Sequence, residues 1–463
     1  MKKSLLFIAF SLFANLTFAQ QRDDKQLTAE FDKMLSGQFK TNEPGVTVLV
    51  ARKGQIIYKK AFGMANLEYN IPMQVDNIFR IGSITKQFTA VAILQLMEQG
   101  KLNLQDEITK FIRDYPVHGH KITIEHLLTH TSGIQSYTDM KDFEEKMTLD
   151  LKPSEVIAYF KNQPMKFAPG TQFQYNNSGY FLLGYIIEKV SGKPYQQYVE
   201  DNFFKPLGMS NSLYGSDSKI VKNRAGAYDK DSTGVINAPF MSMTQPYAAG
   251  SIQSTVEDLF KWHQAVHSYK MVKKESLDKA FTKYKLTVGR ETDYGYGWFL
   301  LNIQGSPTIE HGGGINGFLT QSIYLPKEDV FVAVFSNCNC NPPGTIGAKI
   351  AAHTIGKPYE EYKEIPLENT VLQGYTGVYE NERGEQRFIT VAENQLYSQL
   401  DGATKSKIKA YQKDNFFFEN FMATIEFSRN KKGEVEKLTV KSRQPNAVWN
   451  RTNKRIPTEP EKK

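Results

Sequence analysis

The chain has 463 residues, 40% of them hydrophobic and 23% charged, with a formal net charge of +8 and two cysteines. That length suits about two domains. The basic residues are scattered or paired, as in Lys59-Lys60 and Lys431-Lys432, which argues against a nucleic-acid groove, and two cysteines rule out a disulfide framework.

Residues 1–19 read as a signal peptide: Lys2-Lys3, an apolar stretch from Leu5 to Phe13, and Thr17-Phe18-Ala19 before Gln20. The apolar stretch is too short for a comfortable membrane span, and no later segment resembles a transmembrane helix. The expectation is an exported protein, periplasmic or secreted, with no transmembrane anchor.

Residues 45–50 and 55–60, joined around Lys53-Gly54, predict a β-hairpin. Over residues 83–98, Ile84, Phe88, Val91, Ala92 and Leu96 fall at the spacing of an amphipathic helix that stops at Gly100. A mostly helical middle follows, with helices predicted over 122–130, 153–162, 178–190, 195–204 and 255–267. Strands return at 308–312, 319–325 and 330–336. Strands distant in sequence then share one sheet, an α+β layout.

Cys338 and Cys340, read as part of an extended segment, sit about two rises or 6.6 Å apart. A bond between them would be strained, so free or structural thiols are expected. Beyond Pro366, short alternating runs at 375–379, 388–391, 396–400, 405–411, 415–418, 424–428 and 437–440 predict a small antiparallel β barrel or sandwich. The domain plan is a signal peptide at 1–19, a main domain at 20–356, a linker at 357–365 and a C-terminal β domain at 366–463.

The chemistry centres on Ser83 and Lys86. Three residues apart at a helix start, they face the same way one turn apart. An amine whose pKa is pulled down can take the proton of a neighbouring hydroxyl and make it a nucleophile. The helix N-terminus favours an oxyanion there. Four further stretches stand out: His126 to Gly133, Tyr175-Asn176-Asn177 leading into a helix, Gly250 to Leu259, and His311-Gly312-Gly313-Gly314 on a strand. The pairs His126/His130 and His263/His267, each at i, i+4, have the spacing of zinc ligands. Glu125 precedes His126 instead of following it, so structural roles are favoured and no metal is expected.

With these motifs in order, the chain resembles the serine β-lactamase and penicillin-binding family, in its class C and DD-peptidase/esterase branch. The signatures Ser-x-x-Lys, Tyr-x-Asn and His-x-Gly stand at Ser83–Lys86, Tyr175–Asn177 and His311–Gly313. The resemblance runs from about residue 45 to 337. It implies a β-lactamase-like domain, an antiparallel sheet flanked by helices plus a helical subdomain, ahead of the β domain.

It also implies an acyl-enzyme on Ser83, with Lys86 and Tyr175 sharing the proton work. Lys86 would supply the positive charge that lowers the Tyr175 pKa. Asn177 grips Lys86 or substrate, and the N–H groups of Ser83 and Gly314, beside Gly313, form the oxyanion hole. His311 stands where β-lactamases proper usually carry lysine; being charged only in part near neutral pH, it weakens carboxylate recognition. The expected function is an exported serine hydrolase acting on a small-molecule or peptide amide or ester, cell-wall peptide included, with no cofactor. The alternatives are a true class C β-lactamase and a penicillin-binding or sensing protein with little turnover.

Overall fold

The computed structural model describes residues 24–457 except 420 and 445. The expected signal peptide lies outside the described residues. The chain divides into two compact units, one running to Leu301 and including Gly305–Lys357, the other made of Asn302–Gln304 and the chain from Pro358 onward.

The first unit is built on a six-stranded sheet. Its spatial order is Phe299–Ile303, Ser306–Ile315, Phe318–Leu325, Val330–Ser336, Val46–Arg52 and Gln55–Phe62. The hairpin near the start of the chain is joined to the late strands by antiparallel pairing of Val46 with Ser336 through Arg52 with Val330. Every residue of Val330–Ser336 is buried, as its unbroken apolar run requires of a strand covered on both faces. Helices Val256–His267 and Pro343–Thr354 pack on that strand.

The helix after Ser83 departs from its predicted amphipathic form. A 3₁₀ turn, Gly82–Ile84, leads into the α-helix Thr85–Glu98. Phe88 through Leu94 are buried without interruption, so the helix runs through the core and has no broad solvent face. Helix Asn177–Ser191 packs against it. The predicted helix over 195–204 is α-helical only over Tyr195–Val199 and then widens into a π turn, Glu200–Phe204.

The cysteine expectation is overturned. Cys338 and Cys340 form a disulfide, with Cα atoms 5.1 Å apart. The chain leaves its strand at Ser336 and turns over 339–340, which brings the two residues closer than an extended segment would.

The second unit contains a closed barrel of eight strands in sequential order. Seven strands answer the predicted runs. The eighth, Ala447–Arg451, pairs with both Val435–Lys441 and Gly377–Glu380 and closes the barrel. Closure leaves no open sheet edge. Its core includes Tyr375, Tyr379, Phe416, Phe427 and Trp449.

Candidate active site

The site lies where the Gly82–Ile84 turn meets the end of strand Ser306–Ile315. Gly82 has φ +51°, and a Cβ there would stand 2.9 Å from the Gly314 nitrogen. Glycine therefore lets the serine turn lie flush against the strand. Gly313 meets the turn even more closely, since its Cβ would be 2.0 Å from the Ile81 carbonyl oxygen. Thr320 Oγ1, on the next strand, donates to the same Ile81 oxygen at 2.9 Å. These contacts set Ser83 beside Gly314.

Lys86, one turn on, is fully buried. Its Nζ lies 2.9 Å from Ser83 Oγ, 2.8 Å from Asn177 Oδ1 and 2.9 Å from the Ala249 carbonyl oxygen. No carboxylate pairs with it among the described residues, and burial pulls its pKa well below the usual lysine value. A neutral amine has two N–H groups and one lone pair. Asn177 and Ala249 offer acceptors only at these contacts, so in the neutral form that burial favours they take the N–H groups and leave the lone pair for the Ser83 hydroxyl. Asn177 is steadied in turn by its Nδ2 contact with Thr138 Oγ1 at 3.1 Å.

Tyr175 stacks beside this group, with Lys86 Nζ 4.8 Å from its ring centre. The expected lowering of its pKa by Lys86 is not found. Burial pushes the phenol up, and its interaction with Ser83 is the only opposing influence. The hydroxyl is buried and makes no hydrogen bond of normal geometry among the described residues. The lowered Lys86 pKa works against the positive charge that a phenolate would need. The Tyr175 phenol therefore keeps its proton at neutral pH.

His311 is buried and uncharged, its pKa pushed down to about 3 chiefly by burial and secondarily by Lys86. Its Nδ1 lies 2.6 Å from the Gly312 carbonyl oxygen, and its Nε2 lies 2.9 Å from the Tyr294 hydroxyl. A carbonyl only accepts, so Nδ1 carries the proton and Tyr294 donates to Nε2. Even partial charge on this residue, the sequence expectation, is lost.

His130, read as structural, accepts from the Asn176 N–H at 3.0 Å and stacks 4.2 Å from the Tyr175 ring, steadying the loop that carries Tyr175. His126 closes a capping box with Thr123. His263 and His267 lie 4.5 Å apart, stacked on Phe331 and Phe281 respectively.

Sequence reasoning missed Tyr294 and the Ala249 carbonyl. The stretch beginning at Gly250 stood out, but it gave no sign that the preceding carbonyl faces Lys86. Ser83, Asn177 and Gly314 open onto a cleft of about 380 Å³.

The buried histidines make the fold acid-sensitive. The folded pKa of His311 lies below the unfolded value of 6.5, so the unfolded chain binds more protons between pH 6.5 and 3. Stability therefore falls as pH drops through that window. At pH 5, His311 alone accounts for roughly 2 kcal/mol. Thermal melts at pH 7 and pH 5 should show this loss; unchanged melting would mean that the histidines are not buried and neutral.

The sequence profile of the Beta-lactamase family matches residues 23–355, and that of a domain of unknown function, DUF3471, matches residues 362–453. The chain is similar to Penicillin-binding protein 4* of Bacillus subtilis, 27% identical over 405 residues, covering 82% of this chain and 89% of that one. Among solved structures it is similar to an octameric penicillin-binding protein homologue from Pyrococcus abyssi. The TM-score is 0.67 at 28% identity, covering 91% of this chain and 100% of that one. A D-stereospecific amidohydrolase from Streptomyces sp. gives a TM-score of 0.61 at 26% identity, covering 71% of this chain and 98% of that one. With the family profile spanning most of the chain and the sheet, helices and motif order in place, this protein belongs to the Beta-lactamase family.

Proposed function

We propose that this protein is an exported serine hydrolase, of peptidase or esterase type, that cleaves an amide or ester through an acyl-enzyme on Ser83. The observation that carries this reading is the buried Lys86 amine, 2.9 Å from Ser83 Oγ and with no carboxylate paired to it among the described residues, whose pKa burial pulls well down. As Oγ attacks the carbonyl carbon, its proton passes to Lys86 Nζ and a C–Oγ bond forms. The oxyanion is received by the N–H groups of Ser83 and Gly314. Collapse breaks the bond to the leaving group, which takes the proton from Lys86 by way of the Tyr175 hydroxyl. Water then attacks the ester and gives a proton to Lys86; the C–Oγ bond breaks, Ser83 Oγ takes that proton back from Lys86, and the acid is released.

The uncharged His311 favours a peptidase or esterase over a true β-lactamase, because it supplies no cation for a substrate carboxylate. The similarity to a D-stereospecific amidohydrolase supports the same preference. Export rests on the signal-like residues 1–19. No helix among the described residues is long and apolar enough to cross a membrane.

The test is timed intact mass after mixing with an activated short-chain ester or with a penicillin, each beside Ser83→Ala. The expected result is a Ser83-dependent acyl adduct from the ester that decays with turnover. A lasting penicillin adduct would favour the penicillin-binding reading, and a transient one with hydrolysed drug a β-lactamase. Absence of any Ser83-dependent adduct would overturn the mechanism.

A further inference from the structure

We propose that the cleft selects an acyl donor that is uncharged on both sides of the scissile bond: an N-blocked, apolar ester or amide whose leaving group carries no carboxylate. This rests on the Ser83 reading above and specifies its substrate class.

No lysine, arginine, histidine, aspartate or glutamate lines the cleft of about 380 Å³. Tyr137, Phe143, Met241, Pro246 and Ile315 give it apolar walls, and its polar groups are hydroxyls, amides and backbone. Three charged groups near the walls are engaged with partners. Lys86 is enclosed by Ser83, Asn177 and Ala249. Asp217 is paired with Arg80 at 3.3 Å and accepts from the Met243 N–H at 2.7 Å. Asp142 is paired with Lys146 at 2.9 Å.

Beyond Lys86, the charges that lining side chains contact are negative: Thr138 Oγ1 donates to Asp139 Oδ1 at 3.4 Å, and Asn339 Nδ2 donates to Asp229 Oδ2 at 3.0 Å. A substrate carboxylate would thus lose water without gaining a cation. A substrate ammonium would find no carboxylate in that lining, and Asp139 and Asp229 are engaged by Thr138 and Asn339. Charge taken from water without a partner is costly, whereas apolar groups gain by leaving water.

The test compares three thioesters with the same leaving thiol core in the full chain, each beside Ser83→Ala. One is the methyl ester of hippuryl thioglycolate, neutral throughout. The second is hippuryl thioglycolate itself, with a carboxylate on the leaving group. The third is glycyl thioglycolate methyl ester, with a free ammonium in place of the benzoyl block. The expected kcat/KM for the neutral thioester exceeds that of either charged one by about 30-fold or more, and all enzymatic turnover is lost in Ser83→Ala. Ser83-dependent turnover in which a charged thioester matches or exceeds the neutral one overturns this proposal and leaves the nucleophile standing. Turnover that survives Ser83→Ala, or no turnover of any of the three thioesters, overturns both.

Discussion

Lys86→Met is expected to lower the rate of Ser83 acylation by about 10³-fold to 10⁴-fold, the upper range for loss of a general base. Methionine nearly matches the length of the lysine and fits the same enclosed volume, but it offers no lone pair to the Ser83 hydroxyl 2.9 Å away. Single-turnover acylation by an activated ester measures the loss. A drop of less than tenfold would place the base elsewhere, with Tyr175 the next group in reach.

Two pH dependences follow from the lowered Lys86 pKa. Acylation in the wild type rises with pH through the folded pKa, because the amine acts only when neutral. Stability follows the linkage sign: below 10.5 and above the folded pKa, the unfolded chain holds a proton that the folded chain has released. Wild-type stability therefore gains on that of Lys86→Met as pH rises through this window. Urea denaturation of both proteins at pH 7 and pH 9 checks the direction.

What could be read in the sequence was what depends on short separations. Ser83 and Lys86 are one helical turn apart, and Asn177 begins a helix that Asn176 caps through the Gly179 N–H at 2.9 Å. Local periodicity carries such information. The unbroken apolar run at Val330–Ser336 was likewise legible as a strand with those bounds.

What escaped depends on packing between distant segments. The neutrality of His311 comes chiefly from burial, and its tautomer depends on a hydroxyl 17 residues away, on Tyr294. The raised pKa of Tyr175 comes from its enclosure, which no motif encodes. Ala249 meets Lys86 across 163 residues, and through a carbonyl that any residue would carry. The eighth barrel strand, Ala447–Arg451, is five residues long and ends in Trp-Asn-Arg, too short and polar to stand out before its two partners are known. The turn that joins Cys338 to Cys340 has no glycine or proline between them to announce it.

Gly313→Ala is expected to remove most activity and to destabilise the fold by about 3 kcal/mol, the upper part of the overpacking range. The added Cβ would lie 2.0 Å from the Ile81 oxygen and 2.4 Å from Thr320 Oγ1. Neither can yield cheaply: Ile81 presents backbone, and Thr320 is held by its 2.9 Å hydrogen bond to that same oxygen. Relief requires the strand to move away from the Gly82–Ile84 turn, which separates the Gly314 N–H from Ser83. Loss of one oxyanion donor costs about 10²-fold to 10³-fold in kcat.

The control is Gly312→Ala, one residue earlier. Its Cβ would meet Gln321 Oε1 at 2.7 Å, the far end of a flexible side chain that can swing aside, and nothing else closer than 3.4 Å. That variant should lie within about 1 kcal/mol of the wild type and keep its turnover. Chemical denaturation and ester hydrolysis on both variants decide the matter. Equal tolerance at the two positions would mean that the strand does not bear on the serine turn, and the oxyanion hole would have to be sought away from Gly314.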